Sequence, residues 1–150
     1  MRKKRHNITP AVFLILIKNN KILLLRRQNT GHWDGYYSLI AGHVHSAESF
    51  TKAMIREAKE ETNISLTTKN LKFIHLMNRF ARGNPPEIRE RVDIFFSATK
   101  WQGKIKNNEP NKCDDLSWFP INKLPRNTIP YIKQVINNIN RNIFYSEHGY

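Results

Sequence analysis

Two apolar runs near the N-terminus, Ala11-Val12-Phe13-Leu14-Ile15-Leu16-Ile17 and Ile22-Leu23-Leu24-Leu25, constrain this chain more than any other feature. Both are rich in β-formers, and the polar Lys18-Asn19-Asn20-Lys21 between them is turn-like, so they predict a hairpin. A strand with one wet face alternates apolar and polar residues. These runs do not alternate, so the hairpin must be buried on both faces, with further layers above and below it. The chain has 150 residues, which suits a single domain over 1–150, and 39% apolar residues suffice for its core.

The remaining elements supply those layers. Gly31 to Gly35 reads as a loop carrying Trp33 and Asp34, and Tyr36 to Val44 as a short strand broken at Gly42. Glu48 through Thr62 contains neither glycine nor proline and predicts a helix, with Ser46 as N-cap and Asn63 as a left-handed terminator. Leu71 to Phe80 and Glu90 to Ala98 predict strands, separated by a loop with Gly83 and Pro85-Pro86. Leu116 to Phe119 is a further short strand, closed by Pro120. From Pro130 to Phe144, Ile132, Val135, Ile136, Ile139 and Ile143 recur at helical spacing. The order is hairpin, helix, strands, helix, which gives an α/β fold with helices packed on the faces of a sheet.

Lysine and arginine outnumber acids by 25 to 12, for a formal charge of +13. Such a field concentrates nucleotides, nucleic acid or an anionic surface, or it serves solubility alone. The single cysteine, Cys113, makes no internal disulfide and leaves no cysteine cluster for zinc, which suits a reducing cytoplasm. Met1-Arg2-Lys3-Lys4-Arg5 has the charge of a signal-peptide start, but the apolar run after it lacks a small-residue cleavage site and is too short to span a bilayer. The expectation is a cytoplasmic protein with no membrane partner, as a monomer or homodimer.

The chemistry lies on the first helix. At about 100° per residue, Phe50, Ala53, Met54 and Ile64 form one stripe facing the sheet. Glu57 and Glu61 project from the middle of that stripe and Glu60 from its edge, while Lys52 and Lys59 lie opposite. Acids so close together repel one another unless a cation joins them, and oxygen donors suit Mg²⁺ or Mn²⁺. Taken alone, Glu57-Ala58-Lys59-Glu60-Glu61 reads as a solvated acidic patch paired to nearby lysine and arginine, the usual fate of glutamates on a helix.

Its surroundings decide between these readings. Gly42 is followed after five residues by Glu48, then after seven by Arg56-Glu57, and then by Ala58, Glu60-Glu61, Asn63 and Ile64. This stretch, 42–64, resembles the Nudix box, departing from it in having Asn63 where the family has glycine. Both residue types tolerate positive φ, so the helix end should survive. The looser resemblance runs from about Pro10 to Phe144.

The resemblance implies a Nudix fold, an α/β/α sandwich around a mixed β-sheet, and hydrolysis of a diphosphate by metal-activated water. It assigns metal ligation to Glu57, Glu60, Glu61 and the Gly42 carbonyl. It gives the general base to Glu57 or Glu60, and orientation of the cluster to Arg56 and Glu48. His43 and His45 flank the box without a third ligand for zinc.

Substrate contacts must come from elsewhere. Arg26 and Arg27 end the second run, and strand alternation should send only one of them into a cleft. Trp33, Tyr36 and Phe80 are able to stack on a base or simply to pack the core. Arg91 is a candidate from its strand, and Glu109 is either an extra loop carboxylate at the metal or a plain exposed acid. Asp114 and Asp115 read as residues that cap or terminate structure. Asn127 resembles an asparagine that reads a purine edge in MutT-like members, or else it caps the last helix. ADP-ribose-cleaving members carry a proline in the stretch after the box, where this chain has Arg79 and Phe80. The tyrosine favoured near there by dinucleoside-polyphosphate members is missing too, as is the coenzyme A signature. By elimination the resemblance favours a (deoxy)nucleoside triphosphate, an oxidised purine such as 8-oxo-dGTP included, cut to monophosphate and pyrophosphate. The alternatives are an RNA 5′-end pyrophosphohydrolase and a non-catalytic module of the same fold that binds RNA or a nucleotide.

Overall fold

β1 (Thr9–Lys18) and β2 (Lys21–Arg27) are joined by a turn in which Asn19 and Asn20 take left-handed backbone, φ 53° and 59°. Paired positive φ values match the right-handed twist of the flanking strands. The computed structural model describes all 150 residues, and the hairpin pairs over only two positions, Ile17 with Ile22 and Lys18 with Lys21. Beyond them the strands part. β1 continues between β4 (Ile40–His43), antiparallel, and β6 (Glu90–Ala98), parallel. β2 continues between β3 (Tyr37–Ser38) and β7 (Cys113–Pro120), both antiparallel. β5 (Lys72–Phe80) pairs antiparallel with β6, and β8 (Tyr145–His148) adds to β5 in parallel.

Alternation along β1 and β2 explains their continuous apolar sequence. Val12, Leu14, Leu16, Leu23 and Leu25 share one core with Ala53, Met54 and Ala58 of helix α1 (Phe50–Thr62). Ala11, Phe13, Ile15, Ile22 and Leu24 share the opposite core with Tyr131, Ile132, Val135 and Ile136 of helix α2 (Pro130–Asn140). The result is the α/β/α sandwich around a mixed sheet. No helix is long and apolar enough to cross a membrane.

Several boundaries differ from the expected ones. α1 begins at Phe50 with Ser49 as its N-cap, whose Oγ accepts the Lys52 N–H at 3.2 Å. Ser46 lies in a preceding turn in which Ala47 takes φ 58°, so Glu48 precedes the helix. The buried stripe starts at Ala53; Phe50 is 43% exposed. Asn63 ends the helix at φ 65° and donates its N–H to the Lys59 carbonyl at 3.0 Å. The break between Tyr36 and Val44 falls at Leu39, and Gly42 lies within β4 opposite Val12. α2 stops at Asn140, because Asn142 takes φ 56° and turns the chain into β8. A buried histidine ties that return: His75 Nδ1–H donates to the Ile143 carbonyl at 2.9 Å, and Nε2 accepts from the Ser146 hydroxyl at 2.7 Å.

Candidate active site

Where β1 and β2 part, a cleft of about 560 Å³ opens beside α1, lined by Glu57, Glu60, Glu61, Glu109, Arg26 and Arg27 among others. Arg56 organises its rim. The guanidinium grips Glu48 through Nε at 2.8 Å and Nη2 at 2.9 Å, and reaches Glu57 at 2.8 Å, Glu60 at 3.3 Å and the His43 carbonyl at 3.1 Å. Glu48 also accepts the His45 N–H at 3.0 Å, so it staples the start of the helix to the loop before it. The Arg56 bonds, with that N–H, pull the Glu48 carboxyl down to about 2. The bond from Glu48, and after it that from Glu57, raises Arg56 above the usual arginine range.

Glu57 lies against the backbone of Gly42, so closely that a Cβ there would stand 2.0 Å from its Oε1. Burial pushes the Glu57 carboxyl up, against the pull of Arg56. Glu61 sits deeper and accepts one long bond, 3.4 Å, from the Ala41 N–H. Burial raises its carboxyl well above the ordinary range, and the charges of Glu57 and Glu109 add to the rise. Carboxylates driven upward by burial and by one another are what a divalent cation would relieve. The donors are all oxygen, which matches Mg²⁺ or Mn²⁺ rather than a soft metal. No three acids or histidines already converge on a single point, since Glu57 and Glu60 are turned to Arg56. The residues therefore fit such an ion in kind, and ligation requires their side chains to turn.

Both Arg26 and Arg27 line the cleft, contrary to strict alternation, because the β2–β7 register shifts between them. Arg26 is held by Asp114 through Nε at 2.7 Å, and Arg27 Nε donates to the His32 carbonyl at 2.7 Å. Asp114 and Asp115 do not terminate structure; they belong to β7, and Asp115 accepts from the Tyr37 and Ser117 hydroxyls. Glu109 reaches the cleft from its loop, which its own carbonyl stabilises by accepting from Lys112 and Cys113 N–H.

Other candidates stand apart from the acids. Trp33 and Tyr36 meet each other edge to face at 5.0 Å, and neither lines the carboxylate cleft. Asn127 neither lines the cleft nor caps α2, which begins after Ile129; its side chain donates to the Gly35 carbonyl at 2.8 Å and holds the preceding loop. Arg91 opens into an adjoining pocket instead, together with Arg79 and His32. Sequence reasoning missed Thr30, Ser38 and Lys112 in the cleft. Nothing marks them in one sequence, since scattered polar residues acquire a role only when segments far apart meet. Asp93 did carry a signal: an acid on a strand face otherwise continuous with Phe95 demands a buried cation.

A family model described as the NUDIX domain matches residues 7–139. The chain belongs to the NUDIX family. It is a Nudix hydrolase, an enzyme of the class acting on acid anhydride bonds. A protein named ADP-ribose pyrophosphatase from Methanocaldococcus jannaschii is 31% identical over 84% of this chain and 71% of its own length. An NAD-capped RNA hydrolase from Photorhabdus laumondii is 27% identical over 79% of this chain. That match spans only 41% of the relative's length, and similar relatives from Pectobacterium and Vibrio give much the same share. Among solved structures, a MutT Nudix hydrolase from Burkholderia pseudomallei superposes with a TM-score of 0.76 at 20% identity, covering 88% of this chain and 98% of that one. A MutT protein from Methanosarcina mazei gives 0.74 at 19% identity, covering 93% and 97%. At such identities these structures speak for the fold.

Proposed function

We propose that this Nudix hydrolase uses Mg²⁺ or Mn²⁺ to cleave the diphosphate of a nucleoside diphosphate joined to a second group. The (deoxy)nucleoside triphosphates, 8-oxo-dGTP included, are the smallest members of that class, with phosphate as the second group. The observation that carries the reading is the half-buried pair Glu57 and Glu61, with Glu60 and Glu109 facing the same cleft and the Gly42 backbone against Glu57. Glu57, Glu60, Glu61 and the Gly42 carbonyl would hold a divalent ion, which would supply charge neutralisation and a water of lowered pKa. The chain's own groups do the rest. Glu57 or Glu60 takes the proton of the attacking water, and Arg56, locked by Glu48, anchors both carboxylates at the rim from which they turn to the ion. Arg26, Arg27 and Lys112 line the phosphate side of the cleft.

Similarity to proteins named for ADP-ribose and NAD-capped RNA favours a second group larger than phosphate. The pocket beside the cleft offers it room. A capped or triphosphorylated RNA end is a second reading, supported by the same relatives and by the +13 charge. The lone Cys113, buried and unpaired, suits the cytoplasm.

Purified protein is tested with Mg²⁺ or Mn²⁺ on nucleoside triphosphates, 8-oxo-dGTP, ADP-ribose, NADH and triphosphorylated RNA. Diphosphate cleavage is expected, falling on the order of 10³-fold in Glu57→Gln. No cleavage of any member, or undiminished cleavage by that variant, overturns the reading, and the relative rates rank the substrates.

A further inference from the structure

The cleft does not end at the acids. Arg27, Thr30, Ser38 and Ala41 line both it and a second pocket of about 340 Å³, so one ligand is able to occupy both. The second pocket is walled by Arg79, Arg91, His32, His43 and Tyr131.

Its charges do not balance. Asp93, at 0% exposure, is the acid beneath it, and Arg79 takes both carboxylate oxygens, through Nε at 2.5 Å and Nη2 at 3.3 Å. The Arg79 guanidinium also lies over the Tyr131 ring, 3.9 Å from its centre, so it is fully engaged. Arg91 is not. It is 7% exposed, its Nε stands 3.7 Å from Asp93, and that Nε is a buried donor without any acceptor. Its Nη2 meets only the His43 ring nitrogen, at 2.9 Å. Arg79 and Arg91 thus share one buried carboxylate, an excess of one positive charge, and Arg27 adds its own at the edge common to the two pockets. Burial and the charge of Arg79 push Arg91 below the usual arginine range, which is the penalty for a cation lacking its counter-ion.

We infer that this pocket is an anion subsite, which takes a phosphate monoester carried by the substrate beyond the scissile diphosphate. A neutral acceptor such as a base carbonyl satisfies one N–H and leaves the charge unmatched. A phosphate monoester carries close to two negative charges and several acceptors, and the planar guanidinium suits it. The inference deepens the proposed function and rests on it for the position of the scissile bond.

Two measurements test it. The first compares pairs that share the scissile diphosphate and differ by one phosphate monoester: NADPH against NADH, and ADP-ribose 2′-phosphate against ADP-ribose. The phosphorylated member should have a KM lower by about tenfold, with similar kcat, and Arg91→Gln should erase the difference. Arg91→Lys, which keeps the charge and loses the planar fork, should retain part of it, and it guards against misfolding of the first variant. The second measurement titrates inorganic pyrophosphate calorimetrically into metal-free protein, where Glu57 and Glu61 repel anions. Binding is expected, weakened about tenfold or more by Arg91→Gln. Equal KM values within the pairs, a preference that survives Arg91→Gln, or no pyrophosphate binding overturns the subsite. Wild-type protein that cleaves none of these compounds defeats the catalytic reading instead, and the metal-free titration still decides the subsite.

Discussion

A β-carbon on Gly42 would stand 2.0 Å from Glu57 Oε1, yet this glycine has no positive φ that a side chain would strain. Glycine is needed there for the space it leaves to a carboxylate. Gly42→Ala should therefore displace the movable end of Glu57 and leave the β1–β4 pairing intact. The expected result is a fall in kcat/KM on the order of 10²-fold with little change in melting temperature, read by steady-state kinetics and thermal denaturation. Retained activity would show that Glu57 is not needed where it stands. Glu61 makes the converse case. Burial and its acidic neighbours raise its carboxyl, so the folded state holds the proton more tightly than the unfolded one. Without metal, stability should then fall as pH rises above the ordinary glutamate range. Glu61→Gln keeps an acceptor for the Ala41 N–H and removes the charge. At pH 8 in chelator it should melt higher than wild type, while Mg²⁺ should raise the melting temperature of wild type and not of the variant. A variant no more stable than wild type in chelator would mean that the Glu61 charge is already well solvated.

At the scale of elements, α1 depends on a cap one turn later than sequence pattern suggested. Ser49 Oγ accepts the Lys52 N–H, so Ser49→Ala should lower unfolding stability by about 1 kcal/mol in urea titrations. Ser46→Ala, outside the helix, should stay within about 0.5 kcal/mol, and the reverse order would restore the original expectation. The misplacement has a physical source. Ser46 and Ser49 are equally good caps, and what chooses between them is the left-handed turn at Ala47 and the tether from Glu48 to Arg56 and to the His45 N–H. Tertiary bonds of this kind are invisible to local propensity. The carboxylate face was legible because Glu57 and Glu61 occupy a stripe that Ala53 and Met54 mark as inward. The two-faced burial of β1 and β2 was legible because no polar residue interrupts either run. β8 was not, because Tyr145-Ser146-Glu147-His148 is a polar edge strand fixed by the remote His75. The second pocket was hidden for a similar reason: Arg79, Arg91 and Asp93 come from two strands, and only their register brings them together. The bulge at Arg26 and Arg27 likewise defeated a rule that holds for regular strands.

Across the whole molecule, the charge of +13 admits two uses that make different demands on rate. If it serves solubility alone, ionic strength should leave catalysis unchanged. If it draws polyanionic substrates toward the cleft, screening should slow encounter and leave the bound complex untouched. The arrangement favours the second. Arg26, Arg27, Arg56 and Lys112 line the same opening as the acids, and much of the remaining charge is spread over exposed surface. Raising salt from about 50 to about 500 mM should lower kcat/KM several-fold for a triphosphate, with kcat nearly constant. Arg2, Lys3, Lys4 and Arg5 form an exposed cluster ahead of β1, and replacing all four with glutamine removes charge without touching the cleft. That variant should show a shallower dependence of kcat/KM on salt at the same kcat. For an RNA end the effect should be larger than for a free nucleotide, since a longer chain of phosphates meets more of the basic surface. A flat salt profile in wild type would leave the excess charge to solubility. Equal slopes for nucleotide and RNA would confine the polyanion's contact to the cleft itself.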